Sequence, residues 1–303
     1  MPKIAFLFPG QGAQTVGMGR ELDHELPSVR SLFDRATEIL GFDLRKICFE
    51  GPAEALESTD VSQPAIFVAS LAALESLKLS QPDVVEACQG AAGLSLGEYT
   101  ALVFAGSLDF ETGLKVVRAR GQAMQAAALA TPSGMTSVLG LDEPAIDELC
   151  RRVAPHGRLW KANLLGPGNI VVSGESAALA QLEPIASELG ASRVIPLKVA
   201  GAFHSDLMKP ADDQLSAVLA TASIVAPRIP VYSNVDASAH SEPDDLRRTL
   251  VAQVVGGVRW EDSIRRMMAD GFDTFYEVGP GRVLTGLLKR IDRKTGCTSV
   301  PAR

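Results

Sequence analysis

Five consecutive apolar residues, Ile4-Ala5-Phe6-Leu7-Phe8, run between Lys3 and Pro9, and Gly10 comes next. A strand with one wet face alternates apolar and polar residues, and this run does not. It is also too short for a helix before Pro9-Gly10 breaks it. The run therefore predicts a strand buried on both faces, which belongs in a parallel sheet with helices above and below. The chain beyond Gly10 agrees with that expectation. Helical patterns extend to Leu40. Ser62 to Leu77 reads as a helix capped by Ser62, with Pro64 in its first turn and Ile66, Ala69, Ala73 and Leu77 on one face. Ala87 to Gly93 reads as a small, Ala-rich strand, and helical patterns return at Leu96–Ala105 and Phe110–Ala128. Strands alternating with helices define an α/β fold.

The middle of the chain has a different rhythm. Met135–Leu141 reads as a strand, Pro144–Val153 as a helix, and Arg158–Leu164 and Asn169–Ser173 as two strands joined by Gly166-Pro167-Gly168. Ser176–Leu189 reads as a helix closed by Gly190, and Arg193–Leu197 as a strand. The order β-α-β-β-α-β is that of a ferredoxin-like unit. Thr131-Pro132-Ser133-Gly134 before it and Ala200-Gly201 after it have hinge composition. The expected division is a large parallel-sheet domain made of residues 1–133 and 198–303, with a small domain of 134–197 inserted in it. In the last part, Ile229–Tyr232 and Thr274–Val278 read as strands, and Asp244–Val255, Asp262–Ala269 and Arg282–Ile291 as helices.

Composition narrows the partners. The net charge is −7 and aromatics are 5% of residues, which disfavours both a phosphate-binding face and a base-stacking surface, so no nucleic acid is expected. The longest apolar stretch, Ala65 to Leu74, falls well short of the ~20 residues of a membrane span. No signal-peptide pattern opens the chain. Cys48, Cys88, Cys150 and Cys297 form no CxxC pair, so they read as buried thiols of a reducing compartment rather than metal ligands. A cytoplasmic monomer without metal or membrane is the expectation.

Gly93-Leu94-Ser95-Leu96-Gly97 fits GxSxG between a strand and a helix, the setting of a nucleophile elbow. The glycines permit a sharp turn, and Ser95 then stands at a helix start, where free N–H groups can stabilise an oxyanion. A Gly/Ser turn that merely caps a helix would give the same letters. A serine nucleophile needs a base. His24 and His240 lie among charged or polar neighbours and read as solvated, and His156 sits in a Pro-His-Gly turn. His204, in Ala202-Phe203-His204-Ser205, is the best base available. The loop Pro9-Gly10-Gln11-Gly12-Ala13-Gln14 is neither a dinucleotide nor a P-loop fingerprint, because Thr15 stands where the third glycine would fall and no Gly-Lys-Ser/Thr is present after it.

Five segments occur in order: Phe8-Pro9-Gly10-Gln11-Gly12-Ala13-Gln14; Gly93 to Leu102 (GLSLGEYTAL); Arg120-Gly121 with Met124-Gln125; Gly201-Ala202-Phe203-His204-Ser205; and Glu277-Val278-Gly279-Pro280-Gly281. Together they resemble the malonyl-CoA:acyl-carrier-protein transacylase family over nearly the whole chain. The resemblance implies an α/β-hydrolase-like large domain with a parallel sheet and a ferredoxin-like insert. It implies Ser95 as nucleophile and His204 as base, with His204 oriented by the backbone carbonyl of Gln253. It implies an oxyanion hole from the N–H groups of Gln11 and Leu96. It gives Arg120 the carboxylate of malonyl, Phe203 the limit on the α-carbon pocket, and Asn163 a substrate contact. Malonyl-CoA and an acyl carrier protein are the implied partners. Coenzyme A is a substrate, so no cofactor is implied.

The chain departs from the family pattern twice. Leu94 replaces a histidine before the nucleophile, and Leu165 replaces the second Asn of an Asn-x-Asn-Ser-Pro pattern. Three rivals compete with the transferase. An acyl hydrolase of the same fold would not need Arg120. An ordinary esterase would lack the PGQGAQ loop and the insert. A non-catalytic scaffold would have no use for both Ser95 and His204. From the helical spacing, Arg120 is expected about one malonyl length from Ser95. The densest basic cluster, Arg282, Lys289, Arg290, Arg293 and Lys294, is a candidate carrier-docking face.

Overall fold

The computed structural model describes residues 2–303. Its strands, in chain order, are β1 (Ile4–Phe8), β2 (Cys88–Gly93), β3 (Ser133–Leu139), β4 (Leu159–Gly166), β5 (Asn169–Glu175), β6 (Arg193–Pro196), β7 (Val231–Tyr232), β8 (Ala239–His240), β9 (Thr274–Gly279) and β10 (Gly296–Pro301). They form two sheets, one six-stranded with order β10-β9-β1-β2-β7-β8 and one four-stranded with order β4-β5-β3-β6. The five strands from β10 to β7 run parallel, and only the edge strand β8 pairs antiparallel. All five residues of β1 are buried, as an apolar run without alternation requires. The small sheet is antiparallel throughout, and its order is that of the ferredoxin-like unit.

Several elements differ from the reading of the sequence, each for a local reason. The helix read from Ser62 runs from Thr59 to Ser80 with Ser58 at its N-cap, so Pro64 lies inside it. That helix is buried all round rather than along one stripe, because it is packed between the large sheet and the helix Phe110–Ala130. The helix read over Ser176–Leu189 is two, Ser176–Leu179 and Leu182–Glu188. Pro184 causes the break: it has no N–H to give, and its ring would strike the carbonyl of Ala180 in a continuous helix. Strand β10 lies outside every segment with a strand pattern, since Gly296-Cys297-Thr298-Ser299-Val300-Pro301 has little apolar signal, and it exists by pairing with β9. All four cysteines are free, with Cys48 and Cys88 buried and Cys150 and Cys297 half-buried. Among the described residues no helix is long and apolar enough to cross a membrane.

Candidate active site

Strands β1 and β2 end side by side, Phe8 in register with Gly93. The Leu94 N–H donates to the Phe8 carbonyl at 3.0 Å, the last rung before the chain turns. Ser95 makes the turn with φ of 49°, in the left-handed region that side chains seldom occupy. Such a conformation persists only when its surroundings hold it. Here Ser95 N–H donates to Asn234 Oδ1 at 2.6 Å, Asn234 Nδ2 donates to the Gly93 carbonyl at 2.8 Å, and Gln253 Nε2 donates to the Ser95 carbonyl at 3.1 Å. The two glycines are compulsory: a Cβ on Gly93 would lie 1.9 Å from the Gly97 backbone, and one on Gly97 would lie 2.0 Å from the Phe8 carbonyl oxygen.

His204 faces this turn, itself at φ 57°. Its Nε2 lies 2.9 Å from Ser95 Oγ, and its Nδ1 lies 2.8 Å from the Gln253 carbonyl and 3.2 Å from that of Gly256. Both carbonyls only accept, so Nδ1 carries the proton and the Nε2 lone pair receives the Ser95 hydroxyl hydrogen. Burial first, and the Arg120 charge second, lower the imidazole from 6.5 to about 4 against the pull of the two carbonyls. His204 is therefore a neutral base at physiological pH.

Arg120, from the middle of the helix Phe110–Ala130, is buried beside them at 1% exposure. It donates from Nη1 to Gln63 Oε1 at 2.7 Å and from Nη2 to Ser95 Oγ and Gln253 Oε1, both at 2.9 Å. Its guanidinium carbon lies 5.5 Å from the centre of the Tyr99 ring. The expected separation of one malonyl length is thus wrong for this state: a buried cation without an anion takes whatever acceptors surround it, and the nucleophile is one. Among the described residues Arg120 makes no salt bridge. The nearby Glu98 is also buried, and burial raises its carboxyl to about 7, although the Asn234 N–H, Gln253, Ser233 and the Arg120 charge all act to lower it. Burial lowers Arg120 itself, and Tyr99 and Glu98 oppose that.

These groups open into a cavity of about 400 Å³, an ordinary size for a small-molecule site. Gln11, Leu96, Phe203 and Asn163 all line it, so every site residue singled out in the sequence converges here. The backbone N–H groups of Gln11 and Leu96 donate to nothing among the described residues. Asn163 Oδ1 and Arg120 Nε are buried and unpaired. Leu94 lines the cavity and packs with the cluster that includes Leu7, Tyr232, Val258 and Trp260, so this position is filled by apolar contact. Leu165 is half-buried against the same cluster. The sequence reading missed Gln63, Glu98, Tyr99 and Asn234. Glu98 and Tyr99 stand inside GLSLGEYTAL, but Gln63 and Asn234 lie outside all five family segments, and only the fold brings them in.

The remaining histidines are elsewhere. His24 and His156 are exposed. His240 is not solvated as read: its side chain is 11% exposed and Nε2 meets Asp236 Oδ2 at 3.0 Å. Arg282, Lys289, Arg290, Arg293 and Lys294 are all exposed, on and after the helix Val283–Ile291.

A parallel sheet with a serine and a neutral histidine in contact at its carboxyl edge defines the serine acyl-transfer class. Residues 5–301 match the family model described as acyl transferase domain. The chain is 44% identical to the malonyl CoA-acyl carrier protein transacylase of Bacillus subtilis, over 97% of this chain and 92% of that one. It superposes on the acyl-carrier-protein-S-malonyltransferase of Bartonella henselae with TM-score 0.94 at 39% identity, covering 98% of this chain and 95% of that one. A malonyl-transacylase solved in complex with a type II PKS acyl-carrier protein gives TM-score 0.92 at 36% identity, covering 99% and 95%. The chain belongs to the malonyl-CoA:acyl-carrier-protein transacylase family.

Proposed function

We propose that this protein is an [acyl-carrier-protein] S-malonyltransferase working by a ping-pong mechanism. Ser95 Oγ attacks the thioester carbon of malonyl-CoA while His204 Nε2 takes its proton. The oxyanion rests on the Gln11 and Leu96 N–H groups. The carbon–sulfur bond breaks, and the coenzyme A thiolate leaves with the proton from His204. The phosphopantetheine thiol of the carrier then gives its proton to His204 and attacks the malonyl-serine ester. When that intermediate collapses, Ser95 Oγ leaves and regains the proton. Gln253, through its carbonyl, keeps His204 in the productive tautomer throughout.

The observation that carries the substrate is Arg120. Its fork is buried, lacks an acidic partner, and touches the atom that becomes the ester oxygen. In a malonyl ester the free carboxylate stands three bonds from that oxygen, and esterification leaves Ser95 Oγ a poorer acceptor. The carboxylate then takes its place on the fork. Phe203 limits the space around the α-carbon, and Asn163 offers its unpaired oxygen to an N–H of the pantetheine arm. Leu94, Leu96 and Phe203 keep water from the ester. The reading includes a large domain of 1–133 and 198–303 with an insert of 134–197, acting as a cytoplasmic monomer.

Intact-mass analysis after separate incubation with malonyl-CoA, acetyl-CoA and methylmalonyl-CoA tests this. The expected result is a stable malonyl adduct and little of the others. In Arg120→Ala the malonyl rate falls about 10- to 100-fold, the value of a hydrogen bond to a charged group, and acetyl is unchanged. Lysine restores part of it, because it keeps the charge and loses the fork. Equal malonyl and acetyl labelling of the unaltered protein would sink the substrate assignment. Rapid loss of the malonyl adduct to water without carrier would move the protein to the hydrolases.

A further inference from the structure

Two side chains hold the strained turn at Ser95, Asn234 from its N–H side and Gln253 from its carbonyl side. One carboxylate holds both. Glu98 Oε2 accepts from the Asn234 N–H at 3.1 Å and from Gln253 Nε2 at 2.8 Å. Glu98 opens the helix Gly97–Phe104, where an acid favours the helix dipole, but that role needs no burial, and Glu98 is only 1% exposed. We propose that Glu98 is a positioning residue for specificity: its carboxylate fixes which way the Gln253 amide faces, and that amide aims the Arg120 guanidinium at the acyl carboxylate. The inference deepens the malonyl-transfer reading and rests on it.

The chemistry is directional. Glu98 Oε2 already accepts from the Asn234 backbone N–H, so it presents a lone pair to Gln253 even when the carboxyl holds a proton on its other oxygen. Gln253 must therefore turn its NH2 towards Glu98 and the Ser95 carbonyl. Its oxygen is left facing Arg120 Nη2, 2.9 Å away. A flipped amide would set oxygen against oxygen at Glu98 and at Ser95, and NH2 against the guanidinium. The Ser95 carbonyl acts in the same sense, but it is neutral and its contact is longer, 3.1 against 2.8 Å. The interposed amide has a second consequence. Glu98 orients Arg120 without bonding to it, so the fork is not neutralised by a direct ion pair and stays free for a substrate carboxylate. Gln63 completes the aim from the helix Thr59–Ser80, holding Nη1 at 2.7 Å.

The test is the malonyl-to-acetyl ratio of serine acylation, with KM and kcat for malonyl-CoA, in Glu98→Gln, Glu98→Asp and Gln253→Leu. Glutamine keeps the shape at 98 but can offer NH2 to Gln253 and so release its orientation. Glu98→Gln is expected to raise the malonyl-CoA KM about tenfold, more than it lowers kcat, and to lower the ratio by the same factor. Glu98→Asp, which still presents an acceptor oxygen, recovers part of the ratio. Gln253→Leu keeps the backbone carbonyl under His204 and removes the amide, so it must lower the ratio as well. It stands in if Glu98→Gln does not fold. An unchanged ratio in folded Glu98→Gln or Gln253→Leu overturns the proposal. So does a parallel loss of malonyl and acetyl labelling with no recovery in Glu98→Asp, which marks a purely structural residue. Failure of the malonyl-transfer reading shows separately, as absence of a malonyl adduct on the unaltered protein.

Discussion

The floor of the cleft and its rim are made from different material. On the floor, Ser95, His204, Arg120, Gln253, Glu98 and Asn234 bond to one another, and all but half-buried Ser95 are under 5% exposed. At the rim, Leu197 is 37% exposed, Lys198 is exposed, and Asn163 leaves its oxygen unpaired. The floor rests on the parallel sheet, and the rim comes from the antiparallel sheet and its return connection. A floor in which polar groups satisfy one another is preorganised, so it stabilises charge without rearranging during the reaction. A rim with unpaired groups can meet two different ligands in turn, coenzyme A and a carrier, which share only the pantetheine arm. Changes on the floor should therefore strike the covalent step, and changes at the outer surface should strike only exchange with the carrier.

The largest effect lies at the centre of the floor. Ser95→Ala should abolish the malonyl adduct, and His204→Ala should slow its formation by about 10²–10⁴-fold, as expected for loss of a general base. Intact-mass time courses decide this, and an adduct surviving in Ser95→Ala would place the nucleophile elsewhere.

The next effect is the pH dependence that the buried floor imposes. An exposed histidine near 6.5 would lose about tenfold of its base form by pH 5.5. His204, lowered to about 4, should keep acylation level through that range and fall only towards pH 4. The stability linkage has a definite sign. Between 6.5 and 4 the unfolded chain binds a proton at His204 that the folded one refuses, so this contribution is present above 6.5 and declines on acidification. Glu98, raised from 4.5 to about 7, acts oppositely: the folded chain keeps a proton there that the unfolded one loses, so its contribution declines as pH rises through that window. A pre-steady-state acylation profile is the measurement, and a limb near 6.5 would contradict the buried neutral base.

The smallest effect belongs to the outside. Arg290→Glu, on the exposed basic face, should weaken carrier use a few-fold and leave self-acylation by malonyl-CoA nearly untouched, because an exposed charge pair is worth about 0–1 kcal/mol. Added salt should act the same way on wild type. Equal salt sensitivity of both half-reactions would erase the distinction between floor and outer surface.

Much of this was legible in the chain alone. The unbroken run Ile4–Phe8 required a covered parallel strand, and the glycines around Ser95 required a turn too tight for any Cβ. Local sterics and hydrophobic period are written residue by residue, so a sequence states them directly. The ferredoxin-like order of the middle segment came from the same source. What the sequence could not state is which distant side chains meet. Gln63, Asn234 and the Gln253 side chain have no local signature, and they reach the elbow only because the helix Thr59–Ser80, the segment after β7 and the end of the helix Pro243–Ala252 converge there. Strand β10 exists because β9 offers it an edge, and Arg120 bonds Ser95 because its buried charge turns to the acceptors that the fold sets around it. Backbone preference acts between neighbours, whereas desolvation and hydrogen-bond satisfaction act on whatever the fold brings together, and that was decided by the tertiary structure alone.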